Sequence, residues 1–321
     1  MKIILGFAAI YVIWGSTYLA IRFGVETIPP FLMAGVRFII GGGLLYGFVR
    51  ARGVPAPQRS HWKPALIMGL LMPAGGTGLV TWAETLVPSG LTALLVATAP
   101  MWIVLADWLR PKGTRPTVMV VAGLFLGLAG MSLLINPTDI GGFNEVNKLG
   151  AVVIIIAALS WSVGSVYSRY AHQPRSKLLG VAMQMIAGGG GLVLVSLLVG
   201  ELGSFEHTAV SLKSLLALGY LISLGSLAFV AYIWLLAEST PARAATYAYV
   251  NPIIALVLGA VLAGETLSVW TLGCSAIVIT SVIMIITART RAGETEITRA
   301  SPRPVQPVSV KEGEICHDKS S

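Results

Sequence analysis

The fold is decided by the stretch Trp14–Gly43, WGSTYLAIRFGVETIPPFLMAGVRFIIGGG. Its landmarks return in the stretch Trp161–Gly190, WSVGSVYSRYAHQPRSKLLGVAMQMIAGGG, where a tryptophan, an arginine and a triple glycine each stand 147 residues later. Three more positions return at offsets of 153, 152 and 150 residues: Pro88 as Pro241, Pro100 as Pro252 and Gly123 as Gly273. A near-constant offset over most of the chain indicates a duplicated architectural unit.

The composition is typical of a membrane protein. Of the 321 residues, 55% are hydrophobic and 11% are charged, and the mean hydropathy is +0.80. A soluble domain cannot bury that much apolar surface, whereas a bilayer solvates it. The net charge of +8 is spread between apolar segments, which favours membrane orientation over nucleic-acid binding. Cys274 lies in an apolar segment and Cys316 in a polar tail, so no disulfide is predicted between them.

Apolar stretches of spanning length occur ten times, five in each copy. They fall near residues 3–23, 31–50, 64–83, 88–109, 117–135, 149–170, 178–200, 212–237, 241–263 and 268–288. Alternate loops hold fourteen Lys and Arg residues on one side, against Arg22, Lys148 and Lys213 on the other. This imbalance predicts that both termini are cytoplasmic. Because each copy has an odd number of spans, the two copies must be oppositely oriented.

We therefore predict an all-α integral membrane fold of ten transmembrane helices, built as two inverted five-helix repeats. The repeats are predicted at residues 3–136 and 149–288, and residues 289–321 form a polar tail that is predicted to be disordered and cytoplasmic. The sequence has no Gly-Lys-Ser/Thr phosphate loop, and its four histidines lie in predicted loops or the tail. No cofactor, metal site or enzymatic activity is predicted.

Helix breaks at matching depth in two halves are the best sequence indication of a binding site in a membrane carrier. Pro100 and Pro252 lie near the middle of the fourth and ninth predicted spans. Each proline frees a carbonyl one turn back, and in lipid that carbonyl must face protein, water or a ligand. A kink that serves packing alone is the alternative. Asn251 adds an amide at this depth, which either joins neighbouring helices or binds a ligand.

The first and sixth spans carry matching polar and aromatic residues. Trp14, Ser16 and Thr17 interrupt the first span, and Trp161 and Ser165 lie in the corresponding part of the sixth. The hydroxyls either bond their own backbone one turn back or face a cavity. An aromatic residue near the centre of a span is less usual than one at the interface. We treat these residues as candidates for a substrate site.

Charged residues near the spans also have a structural and a functional interpretation. Arg37 lies about six residues, or roughly 9 Å, into the second span. It either snorkels to the interface or faces a cavity, where it meets a substrate carboxylate or Glu84. Glu84, Asp107 and Glu265 stand at span ends, so no buried proton-relay carboxylate is predicted. Arg22 and Glu26, four residues apart, are expected to pair at the outer surface.

Four segments together resemble one family. They are Tyr11–Gly43, VPSGLTALLVATAP at 87–100, ALSWSVGSVYSR at 158–169 and YAYVNPIIALVLGAVLAGETLS at 247–268. These segments are similar to the YedA-type branch of the EamA family, within the drug/metabolite transporter superfamily. The resemblance covers roughly residues 3–288, that is, everything except the tail.

The resemblance implies a ten-helix carrier of the bacterial inner membrane, related mostly to exporters of amino acids and other small metabolites. It also implies a central cavity lined by the first, third, fourth, sixth, eighth and ninth helices. Carried over by position, the substrate-binding candidates are Trp14, Ser16, Thr17, Trp161, Ser165, Tyr232, Tyr249 and Asn251. Arg37 joins them from its own position in the sequence. Glu265 has no counterpart after the fourth helix, so a symmetric role for it is not expected.

The main functional hypothesis is a secondary transporter that exports a small polar or amphipathic metabolite by alternating access. Its partners would be this small molecule and the lipid bilayer, without nucleic acid. An importer or facilitator and a non-transporting membrane scaffold are the alternatives. An enzyme acting on lipid would need a nucleophile, base or metal near one interface. The substrate, the direction of transport and the oligomeric state, monomer included, are left open by the sequence.

Overall fold

The structure is a computed structural model that describes residues 2–111, 113, 115–135, 147–238 and 247–300. All regular structure in this part of the chain is helical, which confirms the all-α prediction there. The long helices are α1 (Lys2–Gly24), α2 (Pro30–Ala51), α3 (Arg59–Ala83), α4 (Ser89–Trp108), α5 (Val118–Ile135), α6 (Lys148–Ser168), α7 (Lys177–Leu198), α8 (Leu212–Glu238), α9 (Tyr247–Ala263) and α10 (Val269–Ala300).

Seven of the described helices are long and apolar enough to cross a membrane: α1 to α4, α6, α7 and the part of α10 over Val269–Ala288. Three shorter apolar helical segments accompany them: Val118–Leu134, Leu212–Ala228 and Tyr247–Ala263. Large apolar side chains such as Leu44 and Phe125 point outward from the bundle. In water such an apolar surface would favour aggregation, whereas in a bilayer it contacts lipid tails.

The end of α10 differs from the sequence prediction. Its backbone is helical to Ala300, twelve residues beyond the predicted end of the last span at residue 288. The segment 289–300 was predicted as the start of a disordered tail. Residues 301–321, which hold the rest of that predicted tail, lie outside the described residues.

Helices in equivalent places of the two halves pack against each other. These pairs are α2 with α7, α4 with α9 and α5 with α10. The other main contacts occur twice, once for each half. Helix α1 packs on α8, and its equivalent α6 packs on α3, the equivalent of α8. In the same way α1 packs on α9, and α6 packs on α4. Replacing each helix by the one five places away exchanges these main contacts with one another. This is the contact pattern of an isologous, two-fold interface.

Small residues let the equivalent helices α2 and α7 approach closely. A Cβ added at Gly35 would lie 3.0 Å from the nitrogen of Val193, and one added at Gly42 would lie 2.8 Å from the Cβ of Met185. Residue numbers therefore rise along α2 as they fall along α7, so the two helices are antiparallel. Helices α5 and α10 behave likewise, because Gly123 lies against Ile285 while Gly130 lies against Val278.

The connecting turns gather at the two ends of the bundle. The carboxylate face is formed by residues 25–29, 84–88, 199–211 and 264–268, and it contains Glu26, Glu84, Glu201, Glu206 and Glu265. The basic face is formed by the described residues of 52–58, 109–117 and 169–176. Turns of the same face touch: on the basic face, for example, the rings of His61 and His172 lie 4.9 Å apart.

The expected pairing of Arg22 with Glu26 is wrong. Arg22 Nη1 instead donates to the backbone oxygen of Glu84 at 3.0 Å. Glu26 pairs with Lys213 of the other half, with 2.7 Å between Nζ and Oε1. The i, i+4 spacing made the local pair available, but packing of α1 against α8 offered Glu26 a partner outside its own helix.

Candidate functional site

A cavity of about 180 Å³ lies between the two halves of the chain. Helices α1 to α4 contribute to its wall from the first half, and α6 and α9 contribute from the second. Most of the wall is apolar or aromatic, and its hydroxyl, amide and guanidinium groups belong to Thr17, Tyr18, Arg37, Thr77, Tyr247 and Asn251. Such a volume holds several water molecules or a small solute.

Several sequence-based candidates stand together on this wall: Trp14, Thr17, Arg37, Pro100, Trp161, Asn251 and Pro252. In α1 the reason is helical phase. Trp14, Thr17, Tyr18 and Ile21 are spaced by three and four residues, so they share one face, and all four line the cavity. The equivalent helix α6 presents Ala157, Ala158 and Trp161.

Other candidates are not among the lining residues. Ser16 follows Trp14 by two residues, which is roughly 200° around the helix, and its Oγ lies 2.6 Å from Tyr220 Oη. Tyr249 likewise follows a cavity-lining residue, Tyr247, by two positions, so it points to the other side of α9. Ser165 Oγ donates to the carbonyl of Trp161, one turn back, at 2.7 Å. Tyr232 lies on α8, and its side chain lies outside the described residues.

Asn251 lies where α1 and α9 meet. It is 6% exposed, and its Oδ1 has no hydrogen-bond partner among the described residues. One turn earlier on α9, the ring of Tyr247 packs edge-on against Trp14, with centroids 4.8 Å apart at 76°. Both rings border the cavity, so the free amide oxygen stands beside an aromatic surface.

Arg37 is also buried on the cavity wall. It is 6% exposed, which excludes a guanidinium that snorkels to the interface. Its Nη1 has no hydrogen-bond partner among the described residues. A Cβ added at Gly225 of α8 would lie 3.4 Å from Nη2, so the guanidinium occupies the space between the cavity and α8. A buried cation with unused donors can bind an anionic group.

Glu84 differs from the expectation for a carboxylate at a span end. It is 0% exposed, and neither Oε1 nor Oε2 has a hydrogen-bond partner among the described residues. The last turn of α3 packs against α2 and α6, and Arg22 reaches over from α1 to the Glu84 carbonyl. The side chain is therefore enclosed by packing that its position along the chain does not reveal.

The two central prolines have different local structures. Helix α4 stops at Val96 and resumes at Ala99, so Pro100 stands in the first turn of the second piece, where no backbone donor is needed. Helix α9 runs through Pro252 without interruption, so the break expected there is absent. A single proline removes one hydrogen bond, and the turns on either side keep the helix continuous.

Helix α3 widens into π-helical turns over Leu70–Gly78. Gly76 and Thr77 of this segment line the cavity, and a Cβ at Gly76 would lie 2.9 Å from Trp161 Cε3. Ser160 Oγ donates to the carbonyl of Leu71 at 2.7 Å, so α6 satisfies one acceptor of the widened segment. Such turns are frequent at functional sites.

On the carboxylate face, two Gly-Glu pairs bring a carboxylate to a helix N-terminus. Gly200 has a φ of +81°, and the next residue, Glu201, accepts from Phe31 N at 3.2 Å and Leu32 N at 2.9 Å. Both amides lie in the first turn of α2. A carboxylate satisfies otherwise unpaired amides there and complements the helix dipole.

The second Gly-Glu pair caps α4. Gly264 has a φ of +65°. Glu265 accepts from Ser89 N and Ser89 Oγ, each at 2.7 Å, and from Gly90 N at 3.0 Å. Both capping carboxylates belong to the second half of the chain, and both capped helices belong to the first.

Comparison with known proteins identifies the family. The model of the EamA-like transporter family matches this chain twice, at residues 1–136 and 148–287. The chain belongs to that family. It is 43% identical over 263 residues to the inner membrane transporter YedA of Escherichia coli K12, covering 81% of this chain and 82% of YedA. It is therefore a multi-pass transporter of the bacterial inner membrane.

Two further relatives agree with this assignment, and one solved structure has a similar fold. The transporter YoaV of Bacillus subtilis is 30% identical over 261 residues, covering 81% of this chain and 88% of YoaV. A Salmonella typhimurium protein named "Probable amino-acid metabolite efflux pump" is 27% identical over 286 residues, which cover 82% of this chain and 88% of the Salmonella protein. A crystal structure of a 25% identical protein has a TM-score of 0.60, covering 92% of this chain and 98% of that one.

Three polar residues on the wall of this EamA family transporter were not among the sequence-based candidates: Tyr18, Thr77 and Tyr247. Helical phase gives two of them, because Tyr18 follows Trp14 by four residues and Tyr247 precedes Asn251 by four. For Thr77, the available signal is Pro73 followed by three glycines within one span, a composition that disturbs a regular helix.

Proposed function

We propose that this transporter exports a small metabolite, such as an amino acid or a related amphipathic compound, by alternating access. One observation carries the proposal: a cavity receives side chains from both halves, and on its wall Arg37 Nη1 and Asn251 Oδ1 have no hydrogen-bond partner in the part of the chain that the structure describes. Buried polar atoms without partners are costly. A substrate with an anionic group and a hydrogen-bond donor would satisfy both atoms.

The proposed architecture is two inverted five-helix repeats, at residues 3–136 and 149–288, with ten transmembrane helices. The antiparallel packing of equivalent helices supports it, as do the two matches of one family model. We assign the basic face and both termini to the cytoplasm, because Lys and Arg accumulate on the cytoplasmic side. Residues 289–321 would form a cytoplasmic extension.

Each side chain on the wall has a proposed role. Arg37 would bind a carboxylate or similar anionic group through its free donors. The Asn251 oxygen would accept from an ammonium or hydroxyl group of the substrate. Trp14 and Trp161, in equivalent places of the two halves, would contact its apolar part. The printed name of the Salmonella relative supports amino-acid compounds as the first class to examine.

The substrate and direction are tested in cells that overexpress the protein. A panel of amino acids and amphipathic metabolites at inhibitory concentration should reveal one compound to which the cells gain resistance and which they lose faster from a preloaded pool. The purified protein in liposomes should then exchange that compound in counterflow. Faster accumulation in place of loss would indicate an importer. Counterflow absent for every compound would favour the scaffold alternative.

Asn251→Ala tests the assigned site. Removing a buried acceptor that bonds the substrate should cost about 1.5–3 kcal/mol of binding, which is roughly a tenfold or greater rise in the concentration for half-maximal counterflow. Tyr249→Phe is the matched control, since it lies on the same helix off the cavity wall, and it should exchange like the unchanged protein. Undiminished exchange by Asn251→Ala would remove that residue from the site.

A further inference from the structure

The carboxyl group of Glu84 has a different environment from the other carboxylates of the carboxylate face. Glu265 accepts three hydrogen bonds from α4, Glu201 accepts two from α2, Glu26 pairs with Lys213, and Glu206 is exposed. Glu84 is fully buried, and both its oxygens are without a hydrogen-bond partner among the described residues. An ionised carboxylate removed from water needs donors or a counter-ion. This environment suits the protonated, neutral form.

The charges around Glu84 come from every side, but none pairs with its carboxyl oxygens. Arg22 on α1 directs Nη1 to the Glu84 backbone oxygen. Arg37 on α2 is the second cation near Glu84, and these two side chains form no ion pair within 4.0 Å. Tyr18 on α1 and Glu265 on the α9–α10 turn are the other interacting groups, and Lys148 at the start of α6 is exposed.

The same group lies close to the cavity. Val80, one helical turn before Glu84, lines the cavity, as do Tyr18 and Arg37. Of the two cations near Glu84, Arg22 already donates to the Glu84 backbone oxygen, whereas Arg37 stands on the cavity wall with an Nη1 that has no hydrogen-bond partner among the described residues. Glu84 and Arg37 are thus a buried carboxyl group and a buried guanidinium on the packed helices α3 and α2, and they form no ion pair within 4.0 Å.

We propose that Glu84 is a proton-binding site that couples transport to proton movement, with Arg37 as the partner of its ionised form. In the described conformation the proton is bound to a Glu84 oxygen. On release that O–H bond breaks, the electron pair stays on the carboxylate, and the proton passes to water in the cavity. Arg37 then compensates the new negative charge and leaves its place on the wall. The coupling rests on the proposed transport function, whereas the proton site does not.

The proton site is tested by infrared spectroscopy of the full-length protein in lipid nanodiscs. At pH 7 the unchanged protein should show the carbonyl band of a protonated carboxyl group. Glu84→Gln should lose that band, and Glu26→Gln, which removes an exposed and paired carboxylate of the same face, should keep it. A band that persists in Glu84→Gln would overturn the proposal. If Glu84→Gln fails to fold, the unchanged protein still decides, because absence of the band at pH 7 also overturns it.

The coupling is tested in liposomes with the compound that the efflux screen yields. A pH gradient should accelerate net transport by the unchanged protein at least tenfold, and Glu84→Gln should lose that acceleration while retaining counterflow exchange. Equal acceleration in both would overturn coupling through Glu84. A screen that yields no transported compound would count against the proposed function, whereas the infrared result would stand independently of it.

Discussion

The carboxylate face and the basic face join the two halves of the chain through different contacts. On the carboxylate face, Glu201 and Glu265 of the second half accept five hydrogen bonds from the N-termini of α2 and α4 in the first half. On the basic face, the described cross-contacts include the Arg110 guanidinium 4.1 Å above the Tyr170 ring and the tilted rings of His61 and His172.

These contacts differ in strength. A hydrogen bond to a charged group contributes about 1.5–3 kcal/mol, whereas an exposed cation–π contact contributes about 0.5–1 kcal/mol. The described contacts therefore hold the carboxylate face more firmly than the basic face. If the protein opens at alternate ends as proposed, we expect the caps on α2 and α4 to break when the carboxylate face opens, because both caps join the two halves.

Glu265→Ala should have the largest effect on this comparison. It removes the acceptor of three hydrogen bonds and leaves the N-terminus of α4 without a cap. We expect a loss of about 2–3 kcal/mol in the free energy of unfolding, measured by denaturation in mixed detergent micelles. Lys213→Gln is the control on the same face, because its ion pair is 49% and 41% exposed and should contribute less than about 1 kcal/mol.

The same variant should also shift the conformational equilibrium. A 2 kcal/mol loss confined to the conformation in which the caps are formed would raise the population of a conformation without them roughly 30-fold. With both native cysteines replaced, a cysteine at Val80 on the cavity wall should react faster with a thiol reagent applied from the carboxylate face in Glu265→Ala than in its parent. Equal reaction rates would mean that the cap stabilises the helix without controlling access.

Glu201→Ala should have a smaller effect in the same direction. Glu201 accepts two hydrogen bonds from α2, at 3.2 Å and 2.9 Å, whereas Glu265 accepts three. We expect a loss of about 1–2 kcal/mol, measured in the same denaturation assay. Glu201→Gln keeps one carbonyl acceptor and should recover part of it. A larger loss from Glu201→Ala than from Glu265→Ala would mean that the cap on α2 contributes more to the free energy of unfolding than the cap on α4.

The repeat in the sequence predicted more of the fold than of the site. Trp14 and Trp161 were found by their offset of 147 residues, and both line the cavity. Ser16 and Tyr249 were placed by motif and resemblance, and helical phase directs both away from the wall. The four-residue spacing from Asn251 places Tyr247 on the same helical face, and the same spacing from Trp14 gives Tyr18; both line the cavity.

Two features depended on tertiary packing and could not be predicted locally. Glu84 stands at the end of a span, where a carboxylate usually meets water, yet α1, α2 and α6 enclose it. The capping roles of Glu201 and Glu265 join residues about 170 and 176 positions apart, a distance over which no local pattern acts. The glycine before each glutamate indicates a turn, but it does not indicate which helix the glutamate caps.

Tyr170→Leu tests the contacts of the basic face and should have the smallest effect. It removes the ring below Arg110 but leaves the contact of Arg110 Nη2 with Asp107, 3.7 Å away. Because Tyr170 is well exposed, the loss in the free energy of unfolding should be about 0.5 kcal/mol, measured as for Glu265→Ala. The variant should not change the reaction of the Val80 cysteine from the carboxylate face, since that face keeps both caps. A loss as large as that of Glu265→Ala would show that the two ends are held equally, and the caps would then not decide which end opens first.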